Sequence, residues 1–323
     1  MERLIVEELR GDVIEAVHNV SAVVLQGKNI IMSFGDTERV VPMRSVAKPF
    51  MLGPLIKECG NSRIRLTSAM LSIMASSHNG EKAHRDLVER ILELSESTVA
   101  DLFCGSHLPY YDWLYNDYFE EKNLARRQLF HNCSGKHAGM LLLSKLIGVD
   151  KTNYWSKDCP VQTAITDSVI ELLSVGKKYS FSLALDGCGV PTYCATLPII
   201  AQAYQALYSV EHLKTVFDAI IQEPFYNSGT DRVEKVIIEE CGCLAKSGSS
   251  GLFCIADSEE DIGIAIKVND GSDDAAEVAI VEILSMLGML GQEQSKRLNQ
   301  YRYLPILTST AENSGRFNPV WMK

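Results

Sequence analysis

Strand-like sequence near both ends of the chain, with helical sequence between, is the feature that most constrains the fold. Early in the chain, residues 21–26 and 29–34 flank Gly27-Lys28, a two-residue connection typical of a β-hairpin. Late in the chain, the apolar runs 251–256 and 263–268 flank an acidic turn. We therefore predict an α+β fold in which both ends of the chain share one antiparallel sheet flanked by helices.

The rest of the chain is predicted to be mostly helical, because apolar residues recur there at helical spacing. No internal repeat and no Gly- or Pro-rich linker is present, so residues 1–323 are predicted to form a single domain with a helical middle lobe. Residues 181–185 also have strand character. The predicted helices cover 45–56, 86–94, 136–146, 160–173 with Asp158 as N-cap, three segments between 196 and 240, and a closing helix over about 272–290.

Charge and cysteine content narrow the possible functions. The formal charge is −10 without any basic run, which argues against nucleic acid or an anionic membrane as a partner. Residues 1–8 lack the features of a signal peptide, and residues 275–290 are too short and too charged to span a bilayer. Nine sparsely placed cysteines favour a reducing compartment, so we expect a cytoplasmic protein.

Ser45 and Lys48 form a Ser-x-x-Lys motif at a predicted helix start. Residues three apart on a helix share one face, and a lysine in an apolar pocket can accept the proton of a serine hydroxyl. The same arrangement begins the catalytic helix of β-lactamases and penicillin-binding proteins. The spacing also occurs by chance, but its position after the opening hairpin favours a nucleophile and its base.

Residues 76–84 form a polar, Gly-containing cluster that is predicted to be a loop leading into a helix. Loops carry binding and catalytic residues more often than other segments do. The alternative, which the residues alone favour, is that Ser77 caps the following helix and that His78 and His84 are ordinary surface side chains.

Cys133 precedes an apolar helix, and Cys188 lies in a Gly-rich turn. Two thiols and a nearby nitrogen donor can form a zinc site that leaves one position open for water or substrate. On chemical grounds His137 is the expected nitrogen ligand, because a lysine coordinates only after losing its proton. The alternative, evenly matched on the residues alone, is that both cysteines are small buried side chains.

Several segments together resemble the Rhizobium-type, zinc-binding L-asparaginase family, and the likeness covers nearly the whole chain. The resemblance implies a β-lactamase- and penicillin-binding-protein-like fold, a homodimer, and hydrolysis of L-asparagine to L-aspartate and ammonia. The segments are 44–50, 77–81, 132–137 and 186–191, with Cys104-Gly105-Ser106-His107 and Lys246-x-Gly248-x-x-Gly251 as further landmarks.

The same resemblance assigns roles to individual residues. Its two Ser–Lys pairs map onto Ser45 with Lys48 and onto Ser77 with Lys267. Lys267 lies on a predicted strand, and the sequence does not determine on which face of the sheet its side chain lies. Of the two serines, Ser45 is the expected nucleophile, because its lysine is fixed by local sequence. The substrate-binding residues that the resemblance implies are Arg44, His78, Gly80, Glu81, Asn132 and Gly187.

The zinc ligands of the family map onto Cys133, Lys136 and Cys188, so that Lys136 replaces His137 as the expected nitrogen ligand. The positions at which the chain differs from the family pattern include none of the mapped catalytic residues. They do not determine which amide is the preferred substrate, since small changes in a binding pocket alter selectivity. The alternatives are a serine hydrolase acting on glutamine, a β-lactam or a D-amino-acid peptide, and a non-catalytic zinc-binding protein.

Overall fold

The fold is described from a computed structural model, which covers residues 3–174 and 182–323. The strands are β1 (Arg3–Arg10), β2 (Val13–Gln26), β3 (Asn29–Phe34), β4 (Val41–Pro42), β5 (Ser182–Leu185), β6 (Pro191–Ala195), β7 (Leu244–Gly248), β8 (Leu252–Asp257), β9 (Ile262–Val268), β10 (Pro305–Leu307) and β11 (Asn313–Met322). The helices are α1 (Lys48–Met51), α2 (Gly53–Gly60), α3 (Ser68–Met74), α4 (Lys82–Leu94), α5 (Tyr115–Glu120), α6 (Ser134–Leu146), α7 (Pro160–Leu173), α8 (Leu197–Ala206), α9 (Glu211–Gln222), α10 (Pro224–Asn227), α11 (Val233–Cys241), α12 (Asp273–Met286) and α13 (Gln292–Arg302).

The chain divides into two compact units. The first unit contains residues 1–46, 195–205 and 236–323, and the second contains residues 47–194 and 206–235. The predicted single domain over 1–323 therefore stays a prediction, whereas the contribution of both chain ends to one unit is directly visible.

The first unit is built on an antiparallel sheet with the strand order β10-β11-β1-β2-β9-β8-β7, in which β3 also pairs with β2. Gln26 pairs with Asn29 across the predicted Gly27-Lys28 turn, and β8 pairs with β9 as the predicted second hairpin. The apolar helix α12 packs on β1, β8, β9 and β11. The predicted α+β class, an antiparallel sheet with flanking helices, is confirmed; the likeness to β-lactamases stays a prediction.

Several details differ from the sequence prediction. The N-cap of α7 is Cys159 rather than Asp158, because Pro160 occupies the first turn and the Cys159 sulfur accepts the Gln162 N–H at 3.3 Å. Between residues 196 and 240 the structure has α8, α9, α10 and α11, since Pro224 begins a separate short helix. The chain does not close with α12, because α13, β10 and β11 follow. Residue 181 of the predicted strand 181–185 lies outside the described residues.

The second unit is mainly helical, and α6 lies at its centre. Every α6 residue from Ser134 to Ser144 is buried, and the helix packs against α2, α3 and α4. Gly135 and Gly139 allow α3 to approach closely: a Cβ on Gly135 would collide with the Ile73 carbonyl oxygen, and one on Gly139 would lie 2.8 Å from the Met74 sulfur. This close packing places the start of α6 beside the loop that follows α3.

We expect Gly135→Ala to destabilise the protein by about 1–3 kcal/mol, because the added methyl group collides with backbone that cannot move independently. Gly60→Ala is the matched control, since Gly60 ends α2 and a Cβ there meets no atom within 4 Å. Urea unfolding of both variants measures the difference. Equal midpoints for the two variants would show that the α3–α6 approach tolerates a methyl group.

Candidate active site

Lys48 and Ser77 lie in direct contact in the second unit. The Lys48 side chain is 1% exposed, and its Nζ donates hydrogen bonds to Ser77 Oγ at 3.1 Å and to the Ser76 carbonyl oxygen at 2.5 Å. Burial lowers the pKa of Lys48, and Lys136 lowers it further, while Cys133, Cys188 and Asp186 act in the opposite direction. The structure thus places a buried amine with a lowered pKa against a serine hydroxyl.

The loop that carries Ser77 is held by two backbone hydrogen bonds to residues 227 and 228. It follows α3, whose residues are fixed against α6, and its Ser77 N–H donates to the Asn227 carbonyl at 3.1 Å. Two residues further on, the Asn79 N–H donates to the Ser228 carbonyl at 2.9 Å. Because both bonds are made by the backbone, they fix the loop from which the Ser77 side chain projects.

His78 supports this loop from within the protein. Its side chain is 0% exposed, Nδ1 accepts the Gly80 N–H at 3.1 Å, and Nε2 lies 3.0 Å from Ser134 Oγ. Since Ser134 Oγ donates its own hydrogen to the Leu129 carbonyl, His78 is the neutral tautomer that carries its hydrogen on Nε2. Burial places the pKa of His78 well below its ordinary value. His78, predicted to bind substrate, is here a neutral anchor between the loop and α6.

Gly80 and Glu81, also predicted to bind substrate, have structural contacts in the same loop. Gly80 has a φ of +81°, and a Cβ there would lie 2.7 Å from the Phe130 carbonyl oxygen, so only glycine fits. The Glu81 carboxylate accepts the N–H of Thr230 at 2.7 Å and its hydroxyl at 2.9 Å. These two residues fix the end of the loop where α4 begins.

Two thiols and a carboxylate form a second cluster in the same unit. One ligand atom each of Cys133, Asp186 and Cys188 lies within 4.8 Å of the others, and all three residues are buried. Lys136 Nζ donates to Cys188 Sγ at 2.9 Å and lies 3.6 Å from Asp186 Oδ2. Cys133 and Lys136 are positioned by the start of α6, whereas Asp186 and Cys188 belong to the turn between β5 and β6. The predicted ligands Cys133, Lys136 and Cys188 are therefore brought together.

The groups of this cluster stabilise one another electrostatically. The hydrogen bond from Cys188 holds the pKa of the Cys133 thiol well below its usual range, assisted by the nearby Lys48 and Lys136 amines. Burial alone would lower the pKa of Lys136, but Cys188, Cys133 and Asp186 raise it. Thiolate and carboxylate are ligand types that zinc accepts, so Cys133, Cys188 and Asp186 fit a zinc ion, and Lys136 would join them only after losing its proton.

Asp186 is a candidate ligand that sequence reasoning missed. It lies two residues before Cys188, and its side chain accepts the Gly187 N–H at 2.9 Å. The signal available in the sequence was that only Gly187 separates Asp186 from Cys188. In a tight turn, a carboxylate so close to a ligating thiol can lie near the same metal position. Gly187, predicted to bind substrate, contributes its backbone N–H to this arrangement.

His137 has a different environment from the one its chemistry first indicated. Its Nδ1 lies 2.7 Å from the Tyr154 hydroxyl, which in turn accepts the Phe103 N–H at 2.8 Å. Burial places the pKa of His137 well below its ordinary value, so its ring is neutral. Among the described residues, the group of possible metal ligands contains Cys133, Asp186 and Cys188 but not His137.

The remaining predicted site residues are Arg44, Ser45, Asn132 and Lys267. Ser45 is buried in a 3-10 helix, Arg44–Ala47, and Arg44 itself has a φ of +50°, an uncommon conformation for a residue with a side chain. Lys267 lies on β9 of the first unit and donates to the carbonyl oxygens of Ser250 and, at 2.6 Å, Val268. Burial lowers the pKa of Lys267, as does Arg39. In the second unit, Asn132 Nδ2 lies 2.5 Å from the Tyr110 hydroxyl.

A buried lysine bonded to a serine hydroxyl, in the same unit as a cluster of metal-ligating groups, defines a site suited to amide hydrolysis. The chain belongs to the L-asparaginase II family, whose model matches residues 6–319. It is therefore an enzyme, an amidohydrolase that acts on asparagine, with a small-molecule substrate. A search of curated proteins returned no match. None of the described helices combines the length and apolar character needed to cross a bilayer.

Proposed function

We propose that this asparaginase uses a serine–lysine acyl-enzyme mechanism with Lys48 as its central base. The observation that carries the proposal is the 3.1 Å hydrogen bond from Lys48 Nζ to Ser77 Oγ, in a buried site where the pKa of the lysine is lowered. Burying an amine beside one hydroxyl and one carbonyl oxygen costs desolvation free energy, which a functional role of the amine would explain. Proton transfer is a function that such a group can serve.

The contacts of Lys48 define its part in the reaction. A neutral amine has two N–H groups and one lone pair, and two acceptors are already present in Ser76 O and Ser77 Oγ. The lone pair is then free to accept the proton of a further hydroxyl. Ser45, three residues earlier in the chain, is the proposed source of that proton and hence the nucleophile.

In the proposed reaction, Ser45 Oγ attacks the side-chain amide carbon of L-asparagine while Lys48 takes the hydroxyl proton. Ser77, bonded to Lys48, is placed to pass that proton to the leaving nitrogen, the C–N bond breaks, and ammonia departs. Water then cleaves the acyl ester and releases L-aspartate. Backbone N–H groups at the start of the helical segment that begins near Ser45 are the proposed donors to the oxyanion. Lys267 is the proposed second base.

We further propose that Cys133, Lys136 and Cys188 hold a zinc ion, with Asp186 beside them as a fourth candidate ligand or as the group that orients Lys136. When bound, zinc supplies a Lewis acid that can hold and polarise a substrate group. The chain's own residues set its position, because the start of α6 and the β5–β6 turn each contribute one thiol to the cluster.

A homodimer in the cytoplasm is the proposed state of the enzyme. All nine cysteines are free, which supports a reducing compartment. The dimer rests on the family resemblance alone, and sedimentation at micromolar concentration tests it.

The test of the proposed function is ammonia release across a panel of amides, run with and without added zinc. We expect L-asparagine to be the best substrate, and L-glutamine to be slower because its extra methylene displaces the amide from the catalytic groups. A β-lactam and a D-amino-acid peptide complete the panel; because their hydrolysis releases no ammonia, it is followed by the disappearance of the substrate. Faster turnover of any of these three than of L-asparagine would overturn the proposed specificity.

We expect Cys188→Ala to lose stoichiometric zinc, because the open site cannot hold the metal with one thiol removed. Cys194→Ala is the matched control, since Cys194 is also buried on the neighbouring strand but lies outside the cluster. Lys136→Ala should lose the metal, whereas His137→Ala should keep it. Elemental analysis of the purified variants decides the matter. Stoichiometric zinc in Cys188→Ala, or its loss only in His137→Ala, would contradict the proposed ligand set.

A further inference from the structure

Cys241 and Cys243 form a second pair of sulfurs, far in sequence from the proposed zinc ligands. Cys241 is the last residue of α11, and Cys243 directly precedes β7. Only Gly242 separates the two residues, and the backbone conformation of this glycine sets how closely they approach each other. Neither residue has a role in the proposed reaction.

The backbone between them is bent in a way that favours bridging. In an extended chain, residues two apart lie roughly 7 Å from each other, at the upper end of what a disulfide spans. Gly242 has a φ of +67°, and its N–H donates to the Ile238 carbonyl at 3.0 Å, so the chain turns back at the end of the helix. This turn shortens the distance between the two Cα atoms relative to the extended chain.

The two thiols differ in access. Cys243 is fully buried, Cys241 is half-buried, and Gly242 between them is exposed with open space around its Cα. An incoming molecule can therefore reach Cys241 first, and only afterwards can Cys243 react with what has formed there. This is the order that thiol–disulfide exchange requires of an attacking and a resolving cysteine.

The electrostatic surroundings of the two thiols also favour Cys241 as the attacking cysteine and Cys243 as the resolving one. The hydrogen bond from Cys243 lowers the pKa of Cys241, although burial, Glu240 and Asp257 oppose it. Glu240 is itself paired with Arg297 at 2.5 Å, which reduces its repulsion of a thiolate. The pKa of Cys243 is raised by its bond to Cys241 and by burial, so it remains a thiol until Cys241 has reacted.

The other half-exposed thiols lack these properties. Cys159 is the N-cap of α7 and donates to the Tyr154 carbonyl, so its sulfur is already engaged. Burial raises the pKa of Cys59, which makes it a weaker nucleophile at neutral pH. The Cys133 and Cys188 sulfurs lie within 4.8 Å of each other, but both residues are buried and belong to the proposed metal site.

We propose that Cys241 and Cys243 are a redox-active dithiol, which a low-molecular-weight disulfide oxidises to an intramolecular disulfide. The Cys241 thiolate attacks one sulfur of the small disulfide, whose S–S bond breaks and releases a thiolate that takes up the proton lost by Cys241. The Cys243 sulfur then attacks Cys241, gives its proton to the second leaving thiolate, and closes the protein disulfide. The protein loses two hydrogens, and the small disulfide is reduced to two thiols.

The test incubates the zinc-saturated, full-length protein with oxidised and reduced glutathione at increasing ratios, followed by alkylation and peptide mass spectrometry. We expect the peptide containing residues 241–243 to lose two hydrogens and to resist alkylation. In Cys243→Ser, Cys241 should instead retain one glutathione, because no resolving thiol is left. In Cys241→Ser, Cys243 should stay reduced because it is buried. Cys59, without a resolving partner, is the internal control and should form at most a mixed disulfide.

Three results would overturn the proposal. The first is a wild-type protein that retains glutathione on Cys241 as stably as Cys243→Ser does. The second is oxidation that joins Cys133 to Cys188 while Cys241 and Cys243 remain reduced. The third is a 241–243 peptide that is fully alkylated at every glutathione ratio. Since the readout is covalent state rather than turnover, the result is independent of the proposed catalytic mechanism.

Discussion

Ser45→Ala is expected to lower kcat/KM for L-asparagine by about 10⁴-fold or more, because the nucleophile of an acyl-enzyme mechanism cannot be replaced by a neighbouring group. The substitution removes only one hydroxyl from the 3-10 helix Arg44–Ala47, so the thermal unfolding midpoint should change little. Ser77→Ala is expected to cost less, about 10²-fold, since it removes a proton relay and not the attacking atom. Steady-state kinetics of ammonia release measure both effects.

The control for this comparison is Ser144→Ala, which removes a buried serine hydroxyl from α6 without touching the proposed site. Ser144 Oγ has no hydrogen-bond partner among the described residues, so its loss should leave kcat/KM close to the wild-type value. Mass spectrometry of an enzyme quenched during turnover adds a direct readout, because the acyl group marks the nucleophile. An acyl group on Ser77, together with the larger loss in Ser77→Ala, would transfer the role of nucleophile to Ser77.

Local signals predicted a large part of the fold. The Gly27-Lys28 turn was predictable because a two-residue connection between strand-like runs has few alternative structures, and the pairing of Gln26 with Asn29 is as expected. The strand β11 was missed for the opposite reason. Its sequence contains Gly315 and Pro319, which are unfavourable in strands, and it is extended because β1 pairs with it along its length. Contacts between the two ends of the chain leave no local signature.

The same distinction applies to the site. Each motif was visible in the sequence, because Ser45 and Lys48 or Cys133 and Lys136 are neighbours along one helical segment. Contacts across the second unit were not visible. Lys48 and Ser77 are separated by 29 positions, and their hydrogen bond depends on how α1, which begins at Lys48, packs relative to the loop that follows α3. The sequence therefore indicated the reactive groups, while their pairing required the packing of helices.

Lys48→Met is expected to lower kcat by about 10²- to 10⁴-fold, because it removes the base but keeps an unbranched apolar stem in the buried site. The wild-type pH profile should carry the signature of the same group. A base works only when unprotonated, so activity should rise roughly tenfold per pH unit until the pH passes the pKa of Lys48. Burial lowers that pKa, so the plateau should be reached at a lower pH than an exposed lysine would give.

The pH profile of kcat, measured on zinc-saturated enzyme, distinguishes Lys48 from other bases. A histidine or carboxylate base of ordinary pKa would complete its rise by roughly pH 5–7, and a wild-type profile that is flat from about pH 6 upward would refute a lysine base. Lys145→Met is the matched control, because Lys145 lies near the end of α6, is partly exposed and pairs with Glu96. It should keep the wild-type rate and profile. In Lys48→Met the residual activity should lose its rise with pH, since the titrating amine is no longer present.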